Sequence, residues 1–142
     1  MTQYQWLLDI ISPLDVKLGL ELLEVTSKCA RGRYPVAGNT QPWGLWHGGA
    51  TCVVAETLAS LAGMAEVGPD GRAVGVELNA SHLHAATKGW VNGVATAVRI
   101  GRSLATYNVE LTDDDGQLIA VARVSVMLDR VKHGTWHHHH TH

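Results

Sequence analysis

His47-Gly48-Gly49-Ala50-Thr51-Cys52-Val53-Val54-Ala55-Glu56-Thr57-Leu58-Ala59-Ser60-Leu61-Ala62-Gly63-Met64-Ala65-Glu66 is the stretch on which the fold turns. It contains no proline, and after its two opening glycines it reads as one helix, about 25 Å long at 1.5 Å per residue. Val53, Val54, Thr57, Leu58, Leu61 and Ala65 form an apolar stripe. The opposite side is hardly more polar, with Ala55, Ala59, Ala62 and Gly63. A helix apolar nearly all round must be covered on most sides.

The rest of the chain supplies the cover. Before the helix, Gln3–Ile11 reads as a short amphipathic helix closed off by Ser12-Pro13, and Leu20–Thr26 reads as a strand. Ser27–Val36 returns as a second strand, with Pro35 suggesting a sheet edge. Ala37–Trp46, rich in Gly, Pro, Asn and Thr, is a loop. After the helix, Val67–Arg72 is a turn, and Ala73–His84 alternates with Val74, Val76, Leu78 and Ala80 on one face. Trp90–Ile100, Leu104–Thr112 and Leu118–Leu128 are further strands, the last two joined across Asp113–Gly116, whose Asp-Gly ending signals a hairpin. One long helix with about six strands predicts an α+β domain, an antiparallel sheet curled around the helix. One such sheet leaves apolar surface uncovered, which predicts an oligomer. A single domain is expected over residues 1–132. The His-rich tail 133–142 is expected to be disordered, either a native tail or an expression tag.

The totals exclude several functions. A chain of 142 residues with 46% hydrophobic and 17% charged residues can build a real core. A formal net charge of -2 leaves no electrostatic footprint for nucleic acid or an anionic membrane. Ala50–Ala65 is sixteen residues long and carries a glutamate, so no transmembrane segment is expected. Cys29 and Cys52 are not paired as CxxC and no signal-peptide pattern opens the chain, which suggests a reduced, cytoplasmic setting. Cys52 reads as a small hydrophobe.

The chemistry gathers on the same helix. Apart from Cys52, Glu56 is the only ionisable group between Ala50 and Ala65. An isolated carboxylate there is either surface-facing or a general base or nucleophile in a partly dry site, and its neighbours Cys52, Ala59, Ser60 and Gly63 do not make a solvated face. Ser60, one turn on, either bonds to water or substrate or back-bonds to the helix. His47-Gly48-Gly49 is either a plain turn or a helix N-terminus whose unpaired amides could hold an oxyanion.

Gln41-Pro42-Trp43-Gly44-Leu45-Trp46-His47-Gly48-Gly49-Ala50, continued through Ala55-Glu56-Thr57-Leu58-Ala59-Ser60, resembles the hallmark segment of hotdog-fold acyl-CoA thioesterases. Val76-Glu77-Leu78-Asn79-Ala80-Ser81-His82 and Ile100-Gly101-Arg102 extend the similarity. The resemblance implies a hotdog fold and an enzyme that releases an aromatic acid from coenzyme A without a cofactor. It implies Glu56 as the carboxylate that activates water or attacks the thioester. Gly48 would polarise the carbonyl through its N–H, Gln41 through its side-chain amide. Ser60 would stand near the reacting water or the leaving sulfur, and His47 and His82 would line the pocket. It further implies a dimer of dimers, a homotetramer with sites between subunits. An Arg-Pro common in the family after the histidine that aligns with His82 is replaced by His84 and Ala85. Lys88, Arg102 and Ser103, with His84, are the candidates left to contact coenzyme A, though Lys88 and Arg102 also read as ordinary surface charges.

Two rivals remain open. A hotdog hydroxyacyl-thioester dehydratase would need His47 or His82 paired with Glu56. A non-catalytic acyl-CoA-binding protein would keep the fold without releasing thiol. No metal is expected: His82 and His84 lack an acidic or cysteine ligand in suitable spacing.

Overall fold

The computed structural model describes residues 2–132. The His-rich tail lies outside these described residues. After a 3-10 helix (Thr2–Ile10) come α1 (Pro13–Leu18), β1 (Glu21–Val25), β2 (Cys29–Pro35), α2 (Gly48–Val67), β3 (Arg72–His82), β4 (Trp90–Ile100), β5 (Leu104–Thr112) and β6 (Leu118–Asp129). The strands form one antiparallel sheet in the order β1-β2-β4-β5-β6-β3, and α2 touches all six. This is the α+β arrangement that the sequence predicts.

The helix can lie low on the sheet because the sheet has a side-chain-free floor beneath it. Gly32 of β2 pairs with Gly93 of β4. A Cβ on Gly93 would stand 2.8 Å from Leu58 Cδ1 and Val54 Cγ1, and one on Gly32 would stand 3.2 Å from Leu58 Cδ2. Leu58 and Val54 fill that floor and are fully buried. Beside them Ala55, Ala59 and Ala62 are also inaccessible. Each large apolar side chain so covered contributes about 1.5–3 kcal/mol.

Four details depart from the sequence reading. Ser12-Pro13 does not merely close the first helix but opens α1: Ser12 is the N-cap, its hydroxyl accepts from the Asp15 N–H, Pro13 occupies the first turn and Gly19 ends the helix at φ 88. Pro35 does not mark an edge, since β2 lies between β1 and β4. It is the last residue of the strand, where its missing N–H costs little. α2 is four residues longer than the sixteen-residue apolar stretch Ala50–Ala65, and at 20 residues it is long and apolar enough to span a bilayer by length and composition. More than half of it is buried by the rest of the fold, which accounts for its hydropathy.

The fourth departure matters most for the site. β3 does not present Val74, Val76, Leu78 and Ala80 on one face. Its register against β6 shifts between Gly75 and Glu77, so one extra residue reverses the alternation. Leu78 and Ala80 pack on the core, whereas Val74 and Val76 are 48% and 57% exposed.

Two buried tyrosines tie distant segments together. The Tyr107 hydroxyl donates to the Ser27 carbonyl at 2.7 Å, and the Tyr34 hydroxyl donates to Asp15 at 2.6 Å. Burial, helped by the charge of Glu66, pushes the Tyr107 phenol up to about 12. Burial and the Asp15 carboxylate raise that of Tyr34 further. Because both folded values exceed the unfolded value of about 10, their stability contribution is intact below that pH and is lost as pH rises above it. Thermal unfolding should therefore fall steeply between pH 10 and 12, and less steeply in Tyr107→Phe. Parallel curves for the two proteins would contradict this assignment.

Candidate active site

The N-terminus of α2 is built by His47. Its imidazole Nδ1 accepts the Gly49 N–H at 2.8 Å, and its carbonyl accepts from Ala50 and Thr51 at 2.9 and 3.3 Å. A ring whose Nδ1 accepts carries its proton on Nε2. Of the first four amides of the helix, only that of Gly48 makes no hydrogen bond among the described residues. His82 of β3 packs against the side-chain-free position of Gly48: a Cβ there would lie 3.0 Å from His82 Cε1 and 3.1 Å from Nε2. One chain thus brings Gly48 and His82 together, and the β3 bulge directs His82 inward in phase with Leu78 and Ala80.

Gln41 is anchored in the preceding loop. Its Oε1 accepts from the Trp43 and Leu45 N–H groups at 2.9 and 3.1 Å, so its Nε2 is left as the end able to donate elsewhere. Trp46 is buried and donates to Thr51 Oγ1 at 2.8 Å, while Trp43 is 81% exposed.

Glu56 is exposed in the single chain and makes no hydrogen bond or ion pair among the described residues. It stands at a cleft of about 280 Å³ between α2 and the N-terminal segment. Thr57 and Ser60 share the polar part of that cleft, and Ile10, Ile11, Leu61 and Met64 supply an apolar part. Cys52, which is half-buried, joins Glu56 on a second, adjoining cleft.

Asp15 lines both clefts and was not singled out by the sequence reading. It is 4% exposed and collects three hydroxyl donors: Ser12 at 2.6 Å, Tyr34 at 2.6 Å and Thr57 at 2.8 Å. A buried carboxylate needs such compensation. The available signal was the Ser12-x-x-Asp15 spacing behind a proline-led helix start. The hub joins α1, β2 and α2 at the residue next to Glu56.

The remaining candidates fall in separate places. His84 lies past the end of β3 and, with Lys88, lines a cleft of about 510 Å³ opposite Asp113, Asp114 and Asp115. Asp114 is already engaged, accepting from the Trp90 N–H and Asn92 Nδ2, both at 3.1 Å. Arg102 and Ser103 are exposed at the other end of β5, about 30 Å away at 3.3 Å per strand residue. A single chain does not assemble them around one ligand.

A six-stranded antiparallel sheet around one long helix, with a His-Gly-Gly start and a carboxylate two turns along, defines a hotdog-fold thioesterase. The family model described as the thioesterase superfamily matches residues 44–120. A Vibrio cholerae protein designated a candidate esterase is 39% identical over 114 residues, 80% of this chain and 76% of that protein. The 1,4-dihydroxy-2-naphthoyl-CoA hydrolase of Escherichia coli is 32% identical over 124 residues, 84% and 86% of the two chains. A thioesterase crystal structure from Haemophilus influenzae superposes with a TM-score of 0.82 at 27% identity, covering 94% of each chain. The chain belongs to the thioesterase superfamily, and it is a thioester hydrolase.

Removal of the Asp15 hub should loosen the wall of the Glu56 cleft. Asp15→Ala leaves three hydroxyls without their acceptor and should lower stability by about 2–4 kcal/mol in urea unfolding. An unchanged midpoint would show that the hub contributes nothing.

Proposed function

We propose that the protein hydrolyses an aromatic acyl-coenzyme A to the free acid and coenzyme A, with Glu56 as base or nucleophile. The observation that carries this reading is Glu56 at a cleft whose far part is apolar. An apolar cavity of about 150 Å³ already admits benzene, so the space suits an aryl group, and Met64 adds a sulfur that favours aromatic neighbours. The Escherichia coli relative is named for an aromatic acyl-CoA.

In the general-base route, the Glu56 carboxylate takes a proton from water as the oxygen attacks the carbonyl carbon. The oxyanion that forms accepts from the Gly48 N–H, with the Gln41 Nε2 as a second donor. Collapse expels the coenzyme A thiolate. A thiol of pKa about 8.5 leaves without a strong general acid. In the nucleophilic route the carboxylate attacks directly and water opens the resulting anhydride. One donor of this kind contributes about 3–4 kcal/mol. Ser60, one turn from Glu56, would hold the water or the departing sulfur, and His47 and His82 would wall the carbonyl site.

Gly48 and Glu56 are eight residues apart on α2, about 12 Å along its axis. Both can serve one carbonyl only if they come from facing copies. We therefore place the site between subunits of a dimer of dimers. Support comes from β3, an eleven-residue edge strand with exposed Val74 and Val76, and from exposed Trp43. Near Gly48 and His82, the coenzyme A phosphates would meet His84 and Lys88. Arg102 and Ser103 would reach them only from another copy. A cytoplasmic setting fits the two free cysteines.

Glu56→Ala should cut thiol release from benzoyl- or phenylacetyl-CoA about 10²–10⁴-fold, followed with a disulfide reagent, while the protein stays folded. Full activity in that variant would end the proposal, and faster turnover of aliphatic acyl-CoAs would end its aromatic part. Light scattering should give four times the chain mass. A catalytically active monomer would rule out a site between subunits.

A further inference from the structure

Glu56 has no polar partner to aim it, yet its side chain is not free to lie anywhere. It rests against the β3 backbone at Gly75. An ideal Cβ on Gly75 would stand 2.9 Å from both Glu56 Cγ and Cδ, and 3.3 Å from Oε2. The backbone itself does not demand glycine there, because Gly75 is not among the residues with positive φ. At Gly93 the nearest atoms to such a methyl belong to Leu58 and Val54 of the core, whereas at Gly75 they do not. The three nearest to a methyl at Gly75 all belong to Glu56. Gly75 also sits where the bulge begins, so the strand that turns His82 inward also provides the bare spot beneath the carboxylate.

We infer that Gly75 is a positioning residue whose missing side chain leaves the berth that sets the direction of the Glu56 carboxylate. The inference rests on the catalytic reading of Glu56. Carbon atoms settle no closer than about 3.5 Å, so a methyl at position 75 must displace the Glu56 side chain by about 0.6 Å or more. A misplacement near 1 Å can cost about 10²-fold in rate. The atoms displaced belong to a flexible side chain, so the fold should survive.

Gly75→Ala should therefore lower kcat for benzoyl-CoA hydrolysis about 10- to 100-fold, leave KM nearly unchanged and keep the melting temperature close to that of the parent. Glu56→Ala removes Cγ, Cδ and Oε2, the atoms nearest to a methyl at position 75, and leaves a low residual rate. In that background Gly75→Ala should cost less than threefold, a coupling that a merely structural glycine would not produce. If Gly75→Ala alone fails to fold, the double variant must fold, because the clash has been removed. A fully active Gly75→Ala, equal losses in both backgrounds, or an unfolded double variant would each overturn the berth. Full activity in Glu56→Ala would instead overturn the catalytic reading, whatever Gly75 does.

Discussion

Everything in this molecule depends on how closely α2 lies on its sheet. Strand and helix backbones approach where side chains are absent: Gly32 and Gly93 form the floor under Leu58, and Gly63 faces Ala73 and Val126 from the helix side. A methyl group at Gly93 or Gly63 would come within 2.9 Å of a neighbouring carbon. Close packing leaves no slack for that.

The same close approach shapes the candidate site. Gly48 is bare where His82 covers it, and Gly75 is bare where Glu56 crosses it. The helix therefore delivers two chemically different features from fixed points on one rod, an unpaired amide at its start and a carboxylate two turns later. Their separation along the axis is what argues for a partner copy. The Asp15 hub holds the other wall, linking α1 and β2 to Thr57 beside Glu56.

Much of this was legible in the sequence because it is local. The apolar run with a single acid defined α2, and the limits of β4 and β5 follow from turn residues on either side. The start of α1 is equally local, in a Ser-Pro-x-Asp pattern, but a proline after a helical run signals an ending as readily as a first turn. The β3 bulge was not legible. Alternation predicts faces only while the register holds, and the extra residue at Gly75–Glu77 is defined by pairing with β6, some fifty residues further on.

By itself the sequence determined the architecture, through periodicity and turn chemistry, and pointed to the family through the resemblance of the segment from Gln41 to Ser60, because all of these are properties of neighbouring residues. Only the tertiary structure decided that Asp15 is a buried hub, that His82 lies on Gly48, and that Glu56 lies over Gly75 at a cleft. It also separated Lys88 from Arg102 by the length of a strand. These are contacts between segments distant in the chain, and they follow from which backbones can approach closely enough to touch.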